Sequence, residues 1–380
     1  MLKNALTLVF SVLTLACFGQ KNHTPSDTKA TRKTKILYKN LQHLAATKVL
    51  FGHQDALAYG VNWKYEKGRS DVKDITGEHP AVYGWELGHL ELDSLKSLDA
   101  VPFNQIKNYI KTAYKGGGLN TISWHFTNPT NNKSAWDTTK NCLPQMLPGG
   151  AKHQILVSYL DKFAAFASSL KDRYGRPIPI IFRPYHELTG SWFWWGQNQS
   201  TPEDFKTLWT FTVDYLRNTK KLHNLLYAYN TGDFKSKEHF LERYPGDDYV
   251  DIVSFDAYQH ANLITDKGNN FINQVDAKLT MLNEVAVEKN KIPAFAETGY
   301  ETIPQVDWWT KTLLPLLKNH QVSYVLIWRN AGLMSNGKMH YYAPYIGHPS
   351  TPDFVKFYNN DKMMFTKKAD SYKLYNKHKN

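Results

Sequence analysis

Between residues 45 and 360, short apolar runs alternate with longer stretches whose apolar residues recur every three or four positions. The runs are KVLFGHQ (48–54), AVYGWELGHLE (81–91), NTISWHFTNP (120–129), IPIIFRPYHE (178–187), NLLYAYNTGD (224–233), VDIVSFDAY (250–258), IPAFAETGYE (292–301) and VSYVLIWRN (322–330). Each begins nearly continuously apolar, the pattern of parallel strands covered on both faces. Helical spacing is clear in between. Phe103, Ile106, Tyr109, Ile110 and Ala113 form one stripe ending at Gly116–Gly118, and Ile155, Leu156, Tyr159, Phe163, Phe166 and Leu170 form a second. Thr201, Pro202 and Asp204 predict a capped helix start. Phe271, Val275, Leu279 and Leu282, then Trp308, Trp309, Leu313 and Leu316, mark later helices. Eight such strands separated by helices predict an α/β fold, a (β/α)8 TIM barrel, with residues 45–380 as one domain. An open doubly wound sheet is the alternative, disfavoured because no glycine-rich phosphate loop follows the first strand.

The polar residues gather where the strands stop. The ends carry His53, Gln54 and Asp55; Glu86, His89 and Glu91; His125 and Asn128; Arg183, His186 and Glu187; Asn230 and Asp233; Asp256 and Tyr258; Glu297 and Glu301; and Trp328, Arg329 and Asn330. In a parallel barrel all these ends converge on one face, where the sites of this fold are built. Any one of them could be an ordinary loop residue; eight ends behaving alike predict a polar cleft. Glu187 and Glu297 stand out, each placed after an apolar run on strands 4 and 7. Two carboxyls in different environments can divide the cleavage of a glycosidic bond between an acid and a nucleophile. The loop after strand 4 adds Trp192, Phe193, Trp194 and Trp195, and Trp85, Trp124, Trp136 and Trp328 lie at other strand ends or loops. Such rings suit the flat C–H faces of sugars, with Trp192 the first candidate. Trp194 and Trp195 fit a core equally well.

Composition narrows the class. The chain is 42% apolar and 14% aromatic, with a formal charge of +12 carried by scattered Lys and Arg. No basic helix or nucleic-acid signature is evident, so the charge reads as a solvated surface rather than a nucleic-acid interface. The first residues read as a targeting segment: Lys3 precedes an apolar run, Leu6–Phe18, too short to span a bilayer. Residues 1–19 are expected to be a signal peptide. TLAC resembles a lipobox that would place a lipid, and so a membrane tether, on Cys17, although Thr14 stands where such boxes carry Leu; otherwise cleavage falls near Gly19. Residues 20–44 are then expected to be a tether, and the protein to be exported from a bacterial cell. Cys142 is the sole cysteine of the folded body, which excludes an intramolecular disulfide and a CxxC site.

The motifs FGHQD, YGWELGHLE, SWHF, RPYHELTGSWFWWG, VSFDAY, FAETGYE and IWRN follow one another at barrel spacing. Over residues 45–360 they resemble glycoside hydrolase family 26, the β-mannanase family within the clan of TIM-barrel retaining glycosidases. The resemblance implies Glu187 as general acid/base and Glu297 as nucleophile. It implies His186 and His125 as substrate-binding histidines, and Tyr258 as the group that holds the nucleophile ionised and oriented. Trp192 and Trp328 would wall the cleavage point, Trp136 would stack on the leaving-group side, Arg183 would favour an ionised carboxylate nearby, and Arg329 would reach sugar hydroxyls. The implied reaction is retaining, endo-acting hydrolysis of β-1,4-mannosidic bonds in mannan, galactomannan or glucomannan. A chain-end enzyme releasing mannobiose, a β-glucan or xylan hydrolase and a non-catalytic glycan-binding barrel are the alternatives. No cofactor, metal or obligate protein partner is implied; His53 and His89 sit on different strands without ligand spacing.

Overall fold

The computed structural model describes residues 24–260 and 269–378. The predicted signal peptide and Cys17 lie outside the described residues. Eight strands follow in order: β1 Val49–Gln54, β2 Val82–Glu86, β3 Leu119–Ser123, β4 Ile180–Arg183, β5 Leu225–Thr231, β6 Ile252–Gln259, β7 Ile292–Tyr300 and β8 Tyr324–Ile327. Each pairs in parallel with the next, and β8 pairs with β1, so the sheet closes on itself. A short strand, Met363–Met364, joins β1 at its N-terminal end.

The strands are apolar on both faces because both faces are covered. Phe51, Trp85, Ile122, Phe182, Tyr227, Phe255, Phe295 and Val325 face a layer of helices in one large cluster. Their neighbours Leu50, Val82, Ile181, Leu226, Ile252, Ala294 and Leu326 form a second cluster, the barrel interior. The period-2 alternation of strands sorts residues between these layers.

The predicted tether does not survive as such. Within residues 20–44, expected to be a tether, helix α1 spans Arg32–Ala45 and is capped by Thr31, whose side chain accepts from the Thr34 amide. Leu37, Tyr38, Leu41 and Leu44 recur on one helical face and join the barrel-interior cluster. The helix closes the barrel at the N-terminal ends of its strands, burying an apolar stripe that a tether would leave in water.

The other predicted helices form close to their signals. Helix α2, Phe103–Lys115, stops at Gly116. Helix α3 spans His153–Ser168, and α4, Pro202–Asp214, opens with the full reciprocal capping box of Thr201 and Asp204.

One irregularity bears on function. In the pairing of β6 with β7, Phe255 lies opposite Phe295 and Asp256 opposite Glu297, so Ala296 is an extra residue. The β7–β8 ladder shifts over the same stretch, from Val325–Phe295 to Ile327–Thr298. A bulge of this kind re-aims the side chain after it, and here that side chain is Glu297.

Because α1 completes the core, Leu37→Ala should destabilise the protein by about 2–5 kcal/mol. Lys39→Gln on its exposed face should stay within about 0.5 kcal/mol. Urea unfolding followed by circular dichroism measures both; an unchanged midpoint for Leu37→Ala would show that α1 is not part of the cooperative core.

Candidate active site

The strand ends meet at the C-terminal face of the barrel, and Arg183 organises them. It is the last residue of β4, about 1% exposed. Its guanidinium donates through Nη1 to Asp256 Oδ2 at 2.8 Å and through Nη2 to Glu297 Oε1. Asp256 Oδ2 also accepts from Asn230 Nδ2 at 2.7 Å. Glu297 Oε2 accepts from the Tyr258 hydroxyl at 2.7 Å. Glu297 is therefore held at both oxygens, from β4 and from β6. The two carboxylates raise the Arg183 pKa further, outweighing the effect of burial.

Glu187 does not end β4 but stands four residues beyond it. The chain leaves the strand through a turn in which Tyr185 (φ 51°) and Glu187 (φ 54°) both adopt the left-handed region. Non-glycine residues rarely take that conformation, and here packing over-determines it. Tyr185 is buried, with its hydroxyl 2.8 Å from Thr212 Oγ1. The carboxyl is partly exposed and accepts from Trp192 Nε1 at 2.6 Å. Gly190 permits that contact, since a Cβ there would lie 2.5 Å from Trp192 Cζ2.

One carboxylate oxygen from each of Glu187, Asp256 and Glu297 lies within 4.8 Å of the others. Burial first, and then the charge of Glu297, pushes the Glu187 carboxyl up to about 7. The Arg183 guanidinium already supplies a cation to two members of the trio, so their charge is balanced by a side chain. This is the one group among the described residues whose spacing could hold a metal ion.

A second chain of polar contacts runs beside it. His125 follows β3 by two residues, and its Nδ1 lies 2.8 Å from Glu86 Oε2 at the end of β2. Its backbone amide donates to Glu86 Oε1 at 2.7 Å. Burial works against charge in this pair, yet the His125 pKa is raised by Glu86, and Glu86 is lowered to about 2, chiefly by His125. The other ring nitrogen of His125, Nε2, lies 3.0 Å from His186 Nε2. His186 is shifted the opposite way, lowered by its burial and then by His125 and Arg183, which suits a donor at His125 and an acceptor at His186. Trp136 stacks on the His125 ring, 5.0 Å between centroids at 11°.

The sequence-predicted residues thus divide. Arg183, Glu187, Glu297, Tyr258, Trp192, His125, His186 and Trp136 come together. Trp328 is half-buried beside them, its amide donating to the Thr298 carbonyl next to Glu297. Arg329 is already engaged, forming an ion pair with Asp99 at 3.2 Å. The expectation that Trp85 and Trp124 line the cleft is corrected, and of the two readings open for Trp194 and Trp195 the core one holds: all four are buried. Their indole N–H groups bond inward, to Asn120, Glu91, the Phe126 carbonyl and the His186 carbonyl respectively. Trp192 and Trp136, 43% and 48% exposed, are the rings left for a ligand. Asp99 escaped the sequence pattern altogether because it lies in a loop well past β2. Glu86 and Asp256 showed the right signal, a carboxylate closing an apolar run, without a motif that paired them with His125 and Arg183.

If Glu187 works as an acid, the dependent activity is present below about pH 7 and lost as pH rises through that value. Carboxyl signals followed by NMR should show Glu187 titrating near 7, lower in Glu297→Gln and higher in Trp192→Phe, which loses a donor to the carboxylate. No change in Glu297→Gln would mean that the two carboxyls do not sense each other.

The profile of glycosyl hydrolase family 26 matches residues 26–312 of the chain. A mannan endo-1,4-β-mannosidase of Bifidobacterium adolescentis is 31% identical over 96% of this chain. One of the same name from Bacillus subtilis is 31% identical over 62%. The chain spans 38% and 66% of those proteins' lengths. The structure of a GH26 β-mannanase from Bacteroides ovatus superposes with a TM-score of 0.86 at 42% identity, covering 91% of this chain and 98% of that one.

Proposed function

The chain belongs to glycosyl hydrolase family 26, and on that premise we propose that it hydrolyses internal β-1,4-mannosidic bonds of mannans with retention of configuration. The observation that carries this reading is the close approach of Glu187 and Glu297, with carboxylate oxygens within 4.8 Å. Retaining enzymes keep their two carboxyls about 5–5.5 Å apart, whereas inverting ones leave a wider gap for water. The names of the relatives from Bifidobacterium, Bacillus and Bacteroides support mannan as the substrate.

The roles follow from the environments. Glu187, with a pKa of about 7, keeps a proton near neutrality and delivers it to the leaving glycosidic oxygen. Glu297, held at both oxygens by Arg183 and Tyr258, attacks the anomeric carbon as the C–O bond breaks. Glu187, now a carboxylate, takes a proton from the water that displaces Glu297 and frees the sugar. Trp192 fixes the Glu187 carboxyl and offers its exposed ring beside the bond being cut. Trp136, exposed and stacked on His125, forms a platform on the leaving-group side. His186 and His125 bind hydroxyls of the reacting sugar. Trp328 walls the cleavage point, and Arg329 reaches sugar hydroxyls from its pairing with Asp99. This chemistry runs on side chains alone. Export, through the leader of residues 1–19, rests on the sequence.

Glu297→Ala should lose at least about 10⁴-fold in kcat on every substrate. Glu187→Ala should lose as much on mannan but retain the first step with an activated aryl leaving group, giving a burst. Full mannan hydrolysis by Glu297→Ala would sink the assignment.

A time course on unsubstituted mannan, with β-glucan and xylan in parallel, tests the substrate. A spread of oligosaccharides from mannan at early times is expected. Mannobiose alone would mean chain-end action, and cleavage of only β-glucan or xylan would reject mannan.

A further inference from the structure

The charge that looks scattered along the chain is gathered by the fold. On the exposed side of α1, Arg32, Lys35, Lys39 and His43 follow one another at helical spacing. With Lys377 and His378 they surround a cavity of about 920 Å³ whose lining includes no acidic residue. A neighbouring cavity of about 740 Å³ is ringed by Lys111, Lys115, Lys171, Arg173, Arg176 and Lys373. Its two acids, Asp172 and Asp370, are paired with Arg176 and Lys373. The cavities share the C-terminal segment as their common wall, which Asn40 fastens to α1 through the Leu374 and Asn376 carbonyls. Ten Lys and Arg thus meet two acids on one surface, against 46 and 34 in the whole chain. Lys33 sits within the same surface, and its pKa is lowered by burial and then by Arg176 and Arg32, which shows how near the cations lie.

The surface has a fixed place in the barrel. Lys111 and Lys115 end α2 just ahead of β3, and Lys171–Arg176 connect α3 to β4. Both therefore lie where chain enters the strands, opposite the mouth that holds Glu187 and Glu297. The first described residues enter on this face too. The Ser26 amide donates to Asp251 Oδ1 at 2.6 Å, beside the start of β6, and the Thr31 amide to the His223 carbonyl at 2.7 Å, ahead of β5. The apolar run of the leader ends at Phe18, so the chain between it and Thr24 reaches no more than about 20 Å.

We propose that this basic face is a docking surface for an anionic phospholipid membrane, contacting its phosphate groups while the active-site mouth opens away from the bilayer. Dispersed Lys and Arg point charges over a broad face suit a field of phosphates, each contributing within a Debye length of the surface. The described chain enters on this face, and the apolar run of the leader ends six residues before Thr24, so a bilayer holding that run lies within reach of the face. Acidic glycan is the weaker fit, because the exposed Tyr174 ring of this surface is already covered by Arg173 and Arg176, and Tyr372 packs against His378.

The test compares the full chain with a variant carrying Arg32→Gln, Lys35→Gln, Lys39→Gln and Lys377→Gln. Both are sedimented with phosphatidylcholine vesicles, with and without phosphatidylglycerol. The leader is common to both proteins, so its apolar binding cancels. The original protein should prefer the anionic vesicles, lose the preference in high salt, and exceed the variant by about tenfold or more in partitioning. Mannan hydrolysis should be unchanged in the variant, which shows that it is folded. Should the variant fail to fold, the salt-dependent preference of the original protein for anionic over neutral vesicles decides alone. Equal partitioning onto both vesicles, or an unaltered preference in a folded variant, overturns the proposal. So does binding of soluble dextran sulfate without any gain on anionic vesicles.

Discussion

Arg183 donates from the end of β4 to Asp256 on β6 and Glu297 on β7, and does so without contact with solvent. A buried guanidinium is tolerable only when its charge is matched, and removing one partner of such a pair costs about 3–5 kcal/mol. The constraint propagates outward. Asn230 on β5 must hold Asp256, Tyr258 must hold the second oxygen of Glu297, and the bulge at Ala296 must aim Glu297 inward. Four consecutive strands of the barrel are thus tied together by one positive charge.

That charge also separates the two glutamates. Glu297 lies in a set of strong donors, while Glu187 receives one indole N–H and faces the negative charge of Glu297. Two residues of identical chemistry are given different surroundings by position alone, the arrangement that two-step glycoside cleavage needs. The Glu86–His125–His186 chain repeats the principle nearby. The pKa of the histidine next to a carboxylate is raised and that of the histidine next to it is lowered.

The two ends of the barrel are electrostatically unlike. Carboxylates crowd the mouth, and Lys and Arg crowd the face closed by α1. Strand direction makes the difference, because βα loops and αβ loops emerge on opposite sides. The +12 formal charge is therefore not a uniform coat.

By itself the sequence determined the barrel, the places where its strands end, and the pair Glu187 and Glu297. These are local signals: runs of apolar residues, helical spacing, caps such as Thr201–Asp204, and motifs with short internal spacing. What only the tertiary structure decided depends on residues distant along the chain. The partners of Arg183 lie 73 and 114 positions away, and Asp99 meets Arg329 across the closure of the sheet. Trp194 and Trp195 fit a ligand platform or a core equally well in sequence and are core, since burial depends on what packs above a ring and not on its neighbours in sequence. The apolar stripe of α1 was likewise legible only as polarity broken by a few leucines until the open end of the barrel supplied its partner. The basic surface is the same case: residues from 32 to 377 share one face only after the chain has folded, because charge acts through space and the sequence records only order.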